Sequence, residues 1–219
     1  MQKIDENMSA ENRIYSSKMV IHGRRVDRIM ESKSWTIGDD KAFTEYTAPA
    51  REKGTKMLKL EDKLWMYSPD TDRIIQISGH MLRQSVMGSD LSYEDMMEDK
   101  KLQDYYHAVV VAEEKIDDRL CWVVELTATA KDIAYAMRKL WVDTERYIPL
   151  KQELYAKSGT LLKKMELKNV VKVDNRWFPK SMLFKDMLKE GEGTEFIFVD
   201  IQFNKPISQH IFSKAALRK

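Results

Sequence analysis

The sequence predicts a mainly β protein in which one large antiparallel sheet curves over an apolar hollow. Apolar and polar residues alternate with a period of two along about a dozen segments, which is the pattern of half-buried strands. The connections are short and rich in turn-forming residues, which favours antiparallel neighbours. A sheet of this size curls because its twist accumulates from strand to strand. Few helices are predicted, so we expect the concave face to keep a cavity.

Local signals place the elements in order. Ile4 and Met8 are spaced as on one face of a helix and predict a short amphipathic helix over Gln2–Glu11. The tetrapeptide Ser92-Tyr93-Glu94-Asp95 is a capping box, which predicts a helix running to about Tyr105. A closing helix or turn is predicted for residues 208–217. The predicted strands are Arg13–His22, Arg28–Thr36, Lys41–Ala48, Thr55–Leu60, Lys63–Ser68, Arg73–Ile77, His107–Lys115, Leu120–Thr129, Tyr135–Asp143, Leu150–Lys157, Leu161–Val173, Trp177–Phe184 and Thr194–Phe203.

The sheet is predicted to have one polar face. Arg138, Leu140 and Val142 alternate with Lys139 and Trp141. We expect polar residues on the convex side of the sheet and apolar side chains on the concave side.

Four strand residues are predicted to line the cavity. Alternation places Trp65 with Tyr67 on one face of their strand, and Trp122 with Leu126 on one face of another. Ordinary core packing is the alternative for each of them, because large aromatic side chains dominate cores as well as cavity walls.

An apolar excursion between strands, beginning at Ser78, is predicted to form a lid. It is too long for an ordinary hairpin loop, and Gly79 and Gly88 allow it to hinge. The chain has 14 methionines against 8 glycines and 5 prolines, and methionine suits surfaces that fit variable apolar partners. The alternative is that methionine replaces leucine in the core. The predicted lid residues are Met81, Leu82, Arg83, Val86, Met87, Met96 and Met97.

Arg83 is the charged member of this lid. We expect its guanidinium to lie at the mouth of the cavity, where it pairs with a head group or holds the lid shut. The alternative is an ordinary surface arginine.

Composition excludes several classes of protein. The 219 residues suit one domain, residues 1–219, with a sizeable core. The net charge of +2 provides no field for gathering nucleic acid. The longest apolar run, Ala108-Val109-Val110-Val111-Ala112, is far shorter than the roughly 20 residues that span a bilayer. The first residues lack the apolar stretch of a signal peptide, and the single cysteine, Cys121, rules out an internal disulfide.

The sequence predicts no catalytic, metal or cofactor site. The four histidines are scattered, without metal-ligand spacing. Cys121 begins a strand and is interpreted as a buried, inert thiol. The carboxylate pairs Asp70 with Asp72 and Asp117 with Asp118 fall in turns, where aspartate serves local hydrogen bonding. The glycines form no phosphate-binding loop, so we expect a protein that is not an enzyme.

Four segments give the sequence a specific resemblance. Together they are similar to the outer membrane lipoprotein-sorting protein family, a branch of the LolA-like superfamily, and their order and spacing agree over nearly the whole chain. The segment from Arg83 to Asp95 is the most specific of the matching parts. The four are Tyr46-Thr47-Ala48-Pro49-Ala50-Arg51-Glu52-Lys53-Gly54-Thr55, Leu64-Trp65-Met66-Tyr67-Ser68-Pro69, Leu82-Arg83-Gln84-Ser85-Val86-Met87-Gly88-Ser89-Asp90-Leu91-Ser92-Tyr93-Glu94-Asp95 and Leu140-Trp141-Val142-Asp143-Thr144-Glu145-Arg146-Tyr147-Ile148-Pro149-Leu150.

The resemblance implies an incomplete antiparallel β-barrel whose helices form a lid over a hydrophobic hollow. It also implies a periplasmic protein that carries lipids or the acyl chains of lipoproteins between membranes. An inner-membrane exporter and an outer-membrane acceptor are the implied partners, with peripheral or transient membrane contact. Because this family is exported, we expect the sequence to be a mature form in which Met1 stands in place of a leader.

Two other functions are weighed against the carrier. A regulator that senses lipoproteins or peptides would use the same fold, and this alternative stays open. A hydrolase is disfavoured because no nucleophile and base can be assembled from the sequence.

Overall fold

The computed structural model describes residues 1–97, 101–130 and 133–219. The mainly β prediction is confirmed, because strands dominate this part of the chain and its helices are short. The α-helices are α1 (Gln2–Met8), α2 (Tyr93–Met97) and α3 (Leu102–Tyr105), and 3-10 helices cover Gly79–Arg83, Val86–Gly88, Gln209–Ile211 and Lys214–Arg218. The strands are β1 (Asn12–Ile21), β2 (Arg28–Ile37), β3 (Lys41–Ala48), β4 (Lys56–Leu60), β5 (Lys63–Ser68), β6 (Arg73–Ile77), β7 (Tyr106–Ile116), β8 (Arg119–Ala128), β9 (Met137–Asp143), β10 (Pro149–Tyr155), β11 (Leu161–Val173), β12 (Arg176–Asp186) and β13 (Thr194–Phe203).

The strands form one antiparallel sheet in the order β6-β5-β4-β3-β2-β1-β13-β12-β11-β10-β9-β8-β7. The predicted antiparallel neighbours are therefore confirmed within β1–β6 and within β7–β13. The order departs from a single meander at one point, where β1 lies beside β13. The sheet ends at β6 and β7, so it is open, as the predicted incomplete barrel requires.

The predicted capping box is present at the start of α2. The Asp95 carboxylate accepts hydrogen bonds from the backbone N–H and the hydroxyl of Ser92, at 2.6 and 2.7 Å. The Asp95 N–H donates in return to the Ser92 hydroxyl oxygen at 3.2 Å. The predicted helix continues to Tyr105, but its residues 98–100 lie outside the described residues, on either side of which the structure has α2 and α3.

The chain divides into two compact units. One comprises Ala10–Asp99 with Glu195–Lys219. Alternation along β5 separates its two apolar clusters: Leu64 and Met66 belong to one, and Trp65 and Tyr67 to the other. We call the first the methionine cluster. Its buried residues are Met19, Ile21, Met30, Tyr46, Met57, Leu64, Ile77, Val86 and Tyr93, against which Met66, Met81, Leu82, Met87, Leu91, Met96, Met97 and Phe196 pack.

The other unit comprises Met1–Ser9 with Lys100–Thr194. Its main cluster joins α1 to β7, β8 and β9 through Ile4, Tyr106, Val124, Leu126, Leu140 and Val142. The face of β9 that was predicted to be polar is covered instead, because Trp141 packs with Cys121 and Val123. The Trp141 indole N–H donates to Glu114 Oε2 at 2.7 Å. Alternation could not reveal this, since a tryptophan beside lysine fits both an exposed and a covered face.

Candidate functional site

An apolar cavity of about 490 Å³ lies in the unit formed by Met1–Ser9 and Lys100–Thr194. This volume falls in the range of about 300–1,000 Å³ that is typical of small-ligand pockets. Helix α1 covers it, β7, β8 and β9 form its walls, and the turn after β9 closes one end. The lining residues are Met1, Gln2, Lys3, Ile4, Ala108, Val110, Trp122, Val124, Val142 and Tyr147.

Helix α1 is held in place by two polar side chains as well as by buried Ile4. The carboxylate of Asp5 is buried and accepts hydrogen bonds from the N–H groups of Leu102 and Gln103, at 3.0 and 3.2 Å. These N–H groups belong to the first turn of α3, where no helical carbonyl satisfies them. Asp5 therefore ties α1 to α3.

Asn7 attaches the other end of α1. Its amide nitrogen donates to the carbonyl oxygens of Arg146 and Tyr147, at 2.8 and 3.3 Å. Its amide oxygen accepts from the Trp177 backbone N–H at 3.2 Å. These backbone groups are far from Asn7 in the sequence, so the position of α1 depends on the turn after β9 and on the start of β12.

The walls of the cavity are stiff. Val110, Val124 and Val142 are β-branched and have restricted χ1 rotamers. Trp122 contacts the ring of Tyr147, with centroids 5.9 Å apart and planes inclined at 42°. Such a wall keeps its shape better than one of flexible side chains, so the space between the walls is retained.

The cavity opens at β7, the end strand of the sheet. Val110 lines the cavity and is 60% exposed, and the neighbouring Val109 and Val111 are also exposed. A register shift between Val110 and Ala112 marks a bulge in the pairing of β7 with β8, a feature common at sheet edges. An apolar ligand therefore has a route from solvent along this strand.

The turn after β9 is organised by Asp143, whose side chain is fully buried. Arg119 donates to both of its carboxylate oxygens, at 2.7 and 2.8 Å. The N–H groups of Glu145 and Arg146 donate to Oδ1, at 2.9 and 3.0 Å. Burial by itself raises the pKa of the Asp143 carboxyl, but these hydrogen bonds prevail and hold it below its usual range. Asp143 thereby fixes the turn that carries Tyr147 into the cavity.

A second, polar pocket of about 400 Å³ adjoins the cavity. The two spaces share Lys3 and Tyr147. The Lys3 ammonium lies 4.2 Å from the centroid of the Tyr147 ring, at this junction. The residues that line the polar pocket are Lys3, Glu6, Asn7, Glu145, Arg146, Tyr147, Asp174, Asn175, Arg176 and Trp177.

A family model with the description "Uncharacterized protein" matches residues 38–219. No curated protein matches the chain. A DUF1329 family protein from Desulfovibrio piger has a similar structure, with a TM-score of 0.86 and 23% identity over 99% of this chain and 95% of that one. An outer membrane lipoprotein-sorting protein domain from Vibrio parahaemolyticus has a TM-score of 0.81 and 24% identity over 95% and 92% of the two chains. A LolA superfamily protein from Nitrosomonas europaea has a TM-score of 0.79 and 24% identity over 98% and 96%.

The chain belongs to the family that this model describes, and its fold is LolA-like. The resemblance found in the sequence is thus confirmed, and so is the predicted fold class of an incomplete antiparallel barrel with a few short helices. At these identities the solved structures establish the fold, and the site has to be argued from this chain's own residues.

Within this LolA-like fold, the four predicted cavity residues fall into two separate places. Trp122 lines the cavity, and Leu126, 1% exposed, lies in the cluster beneath it. Trp65 and Tyr67 belong to the other unit. There they pack with Phe43, Leu58, Phe212 and Leu217, on the face of β5 opposite to the methionine cluster. Whether these four residues bind a ligand stays a prediction.

The predicted lid residues do lie together, against the methionine cluster. Val86 is one of its buried members, and Met81, Leu82, Met87, Met96 and Met97 pack against it. The Lys59 ammonium donates to the Met97 carbonyl oxygen at 2.9 Å, and Arg83 is exposed. Their role as a lid also stays a prediction.

Side chains of reactive and metal-binding types also lie outside the cavity. Burial, followed by the nearby Asp143 charge, raises the pKa of the Cys121 thiol, which keeps it protonated and unreactive. His22 Nδ1 lies 3.1 Å from Asp27 in an exposed loop. In residues 1–97, 101–130 and 133–219 no three ligating side chains cluster as a metal site would require. The described helices include none that is long and apolar enough to cross a membrane.

Sequence reasoning missed Lys3, Val110 and Tyr147 as cavity residues. The sequence did contain a signal for Val110, because this residue lies in the longest apolar run of the chain. An uninterrupted apolar run places valines on both faces of its strand, and Val110 is the one that lines the cavity. Lys3 and Tyr147 carried no such signal, since their meeting depends on how α1 docks.

Proposed function

We propose that this LolA-like protein carries single lipids or lipoprotein acyl chains in the cavity between α1 and strands β7–β9. The observation that carries the proposal is an almost wholly apolar cavity, open at an end strand, in a fold that the lipoprotein-sorting domain of Vibrio parahaemolyticus shares. Its volume suits a small apolar ligand rather than a folded protein.

The energetics suit transfer in both directions. Burying each CH₂ group is worth about 0.8 kcal/mol, so a long acyl chain gains on the order of 10 kcal/mol before the costs of binding. A bilayer offers nearly the same gain per CH₂ group. Exchange between the cavity and a membrane is therefore close to balanced, and a partner's small preference decides its direction.

The proposed setting is the periplasm. There the protein would receive its cargo from an inner-membrane exporter and deliver it to an outer-membrane acceptor, with only peripheral or transient membrane contact. The near-neutral charge of +2 fits contact with proteins and lipid surfaces of either sign better than nucleic acid.

The methionine-rich segment Ser78–Met97 is proposed as a movable lid. Gly79 and Gly88 both have positive φ angles, +55° and +75°. The positive φ angle of Gly88 is what favours glycine there, since a Cβ atom would meet only the flexible end of the Arg28 side chain. Flexible methionines on such a segment can repack when it opens.

The cavity can be tested by filling it. In the Ala108→Trp variant an indole would occupy the space between β7 and α1, and we expect the affinity for a fluorescent fatty acid to fall at least about tenfold. The matched control is Val109→Trp, because Val109 is a 49% exposed neighbour that does not line the cavity. We expect the control to bind as wild type does. Melting temperatures of both variants check that the sheet is intact.

A paired ligand separates a carrier from a sensor. The protein is titrated with an acylated lipopeptide and with the same peptide lacking its acyl chains. A carrier binds the acylated form and loses it in Ala108→Trp. Equal binding of the two peptides, or equal fatty-acid binding by wild type and Ala108→Trp, would overturn the proposal and favour peptide sensing or a filled core.

A further inference from the structure

The apolar cavity and the polar pocket meet at one point and together have the form of a site for an amphiphile. Tyr147 presents its ring to both spaces and contacts Trp122 on the apolar side. Lys3 places its ammonium over the same ring. A molecule with one apolar and one charged part therefore finds both environments side by side.

The polar pocket carries equal numbers of both charges. Its lining residues include three cations and three carboxylates: Lys3, Arg146, Arg176, Glu6, Glu145 and Asp174. Three of these groups already have protein partners. The Glu6 carboxylate accepts from the side-chain amide of Gln2 at 2.8 Å, in an exposed pair. Arg176 donates to the carbonyl oxygens of Ser9 and Glu6, and Glu145 accepts from Arg119 at 2.8 Å.

The cations nearest the junction are held by aromatic rings. Lys3 lies over Tyr147, and the guanidinium carbon of Arg146 lies 4.8 Å from the centroid of the Trp177 ring. Arg146 Nε is 3.9 Å from Asp143, at the limit of an ion pair. An aromatic ring orients a cation without using its N–H donors, so both groups keep donors for a ligand.

We propose that the polar pocket binds the zwitterionic head group of a phospholipid whose acyl chain lies in the apolar cavity. The inference rests on the proposed carrier function and adds the class of cargo. Lys3 and Arg146 would bind the phosphate, and Glu6 and Asp174 would face the ammonium of the head group.

Charge balance selects this class. The phosphate of an anionic head group could pair with Lys3 and Arg146, but it would leave the carboxylates of Glu6 and Asp174 without a cation. An uncharged diacylglycerol would leave Lys3 and Arg146 without the charged hydrogen bonds that a phosphate supplies. A zwitterion satisfies both sets.

The test uses displacement of a neutral apolar fluorophore, N-phenyl-1-naphthylamine, by ligands with the same short acyl chains. The ligands are phosphatidylethanolamine, phosphatidylglycerol and diacylglycerol, with soluble phosphoethanolamine as the free head group. We expect phosphatidylethanolamine to displace the probe at concentrations about tenfold lower than the other two lipids. Phosphoethanolamine alone should not displace it, because the head group without chains leaves the cavity to the probe.

Variants that remove the charged side chains of the polar pocket test which part of the head group each of them binds. In Lys3→Gln with Arg146→Gln, the affinity for phosphatidylethanolamine should fall about tenfold while that for diacylglycerol stays unchanged. Lys3→Gln alone keeps the test valid if the Arg146 change perturbs the turn, since Lys3 is exposed. In Glu6→Gln with Asp174→Asn, the preference over phosphatidylglycerol should disappear. Arg51→Gln, an exposed arginine of the other unit, is the matched control.

The two proposals fail in different ways. If wild type binds neither the fluorophore nor any lipid, the carrier function itself is wrong. If wild type binds all three lipids equally, or prefers phosphatidylglycerol, the carrier proposal is retained but the proposed zwitterionic head-group site is wrong. The same holds if Lys3→Gln and the double variants leave every affinity unchanged.

Discussion

The methionine cluster and the apolar cavity are both apolar layers built on strands, yet they are filled differently. In the methionine cluster, side chains from Ser78–Met97 pack against buried residues such as Met57 and Leu64. In the cavity, the short helix α1 covers valines and Trp122 and leaves about 490 Å³ between them.

Side-chain stiffness explains the difference. Methionine is unbranched and adapts to irregular gaps, so a segment rich in it fills the space beneath it. Valine is short and stiff and cannot reach across a gap. A high methionine content therefore indicates a surface that can adapt its packing. A wall of β-branched residues beside an end strand indicates a place where a cavity persists.

The largest effect is expected when one buried leucine in each region is replaced by alanine. Leu64→Ala in the methionine cluster and Leu126→Ala beneath the cavity should each lower the free energy of unfolding by about 2–5 kcal/mol, since both side chains are buried. Only Leu126→Ala should change fatty-acid affinity, because it alone alters the cavity region. Denaturant unfolding and probe titration measure the two quantities. Equal changes in affinity would mean that ligand binding involves both regions.

Acid pH should affect the cavity region through Asp143. Its carboxyl pKa is lowered in the folded state, so the stabilisation is complete above the ordinary pKa of about 4 and is lost as pH falls through the lowered value. We expect Asp143→Asn to cost about 2 kcal/mol at pH 7 and to unfold with a flatter dependence on pH below 4.

The control for this change is Glu145→Gln. Glu145 also pairs with Arg119, but its side chain is 75% exposed, so we expect it to leave the acid transition nearly unchanged. Unfolding curves across the acid range compare the three proteins. If Asp143→Asn keeps the wild-type acid profile, some other carboxylate sets it.

Opening of the methionine-rich segment is tested by Met87→Asp. Met87 is partly buried and itself has a positive φ angle of +51°. A carboxylate there is costly unless it reaches water, so the segment should open while the sheet stays folded. We expect faster hydrogen exchange over residues 78–97 and a loss of about 1–2 kcal/mol of global stability.

Met66→Asp provides the contrast, because Met66 packs on the same cluster from strand β5. It should destabilise the whole unit rather than a segment. If Met87→Asp loses global stability to the same extent as Met66→Asp, with no selective exchange at residues 78–97, Met87 is ordinary core and the lid proposal is refuted.

The smallest effect is expected for Arg83→Ala. A surface arginine changes stability by less than about 0.5 kcal/mol and leaves lipid affinity unaltered. A head-group role for Arg83 predicts weaker binding of anionic lipid specifically. Lipid titration of this variant beside Lys3→Gln shows which cation faces the cargo.

The strands could be read from the sequence with little error. Predicted and observed bounds agree at Lys63–Ser68, Leu161–Val173 and Thr194–Phe203, because alternation and turn residues are local properties. The closing segment, predicted as a helix or turn, forms two short 3-10 helices, and its Phe212 and Leu217 pack on Trp65. Tertiary burial of these two apolar side chains outweighs the weak helical preference of the segment.

The candidate site could be predicted only in part. Trp122 is among the residues around the cavity, and its binding role stays a prediction, as does the role of the methionine-rich segment as a lid. Residues of α1 line this cavity as well. The spacing of Ile4 and Met8 predicted the amphipathic helix, but it could not predict which strands the helix packs against.

By itself, the sequence determined the strands, their antiparallel pairing and the LolA-like fold, because each depends on patterns within a few residues or on motifs along the chain. Tertiary structure alone decided where the space lies. Asp5 caps a helix 97 positions away, and Asn7 forms hydrogen bonds with a turn 139 positions away and with a strand 170 positions away. Such contacts follow from the docking of whole elements, so no local pattern encodes the meeting of Lys3, Tyr147 and Trp122.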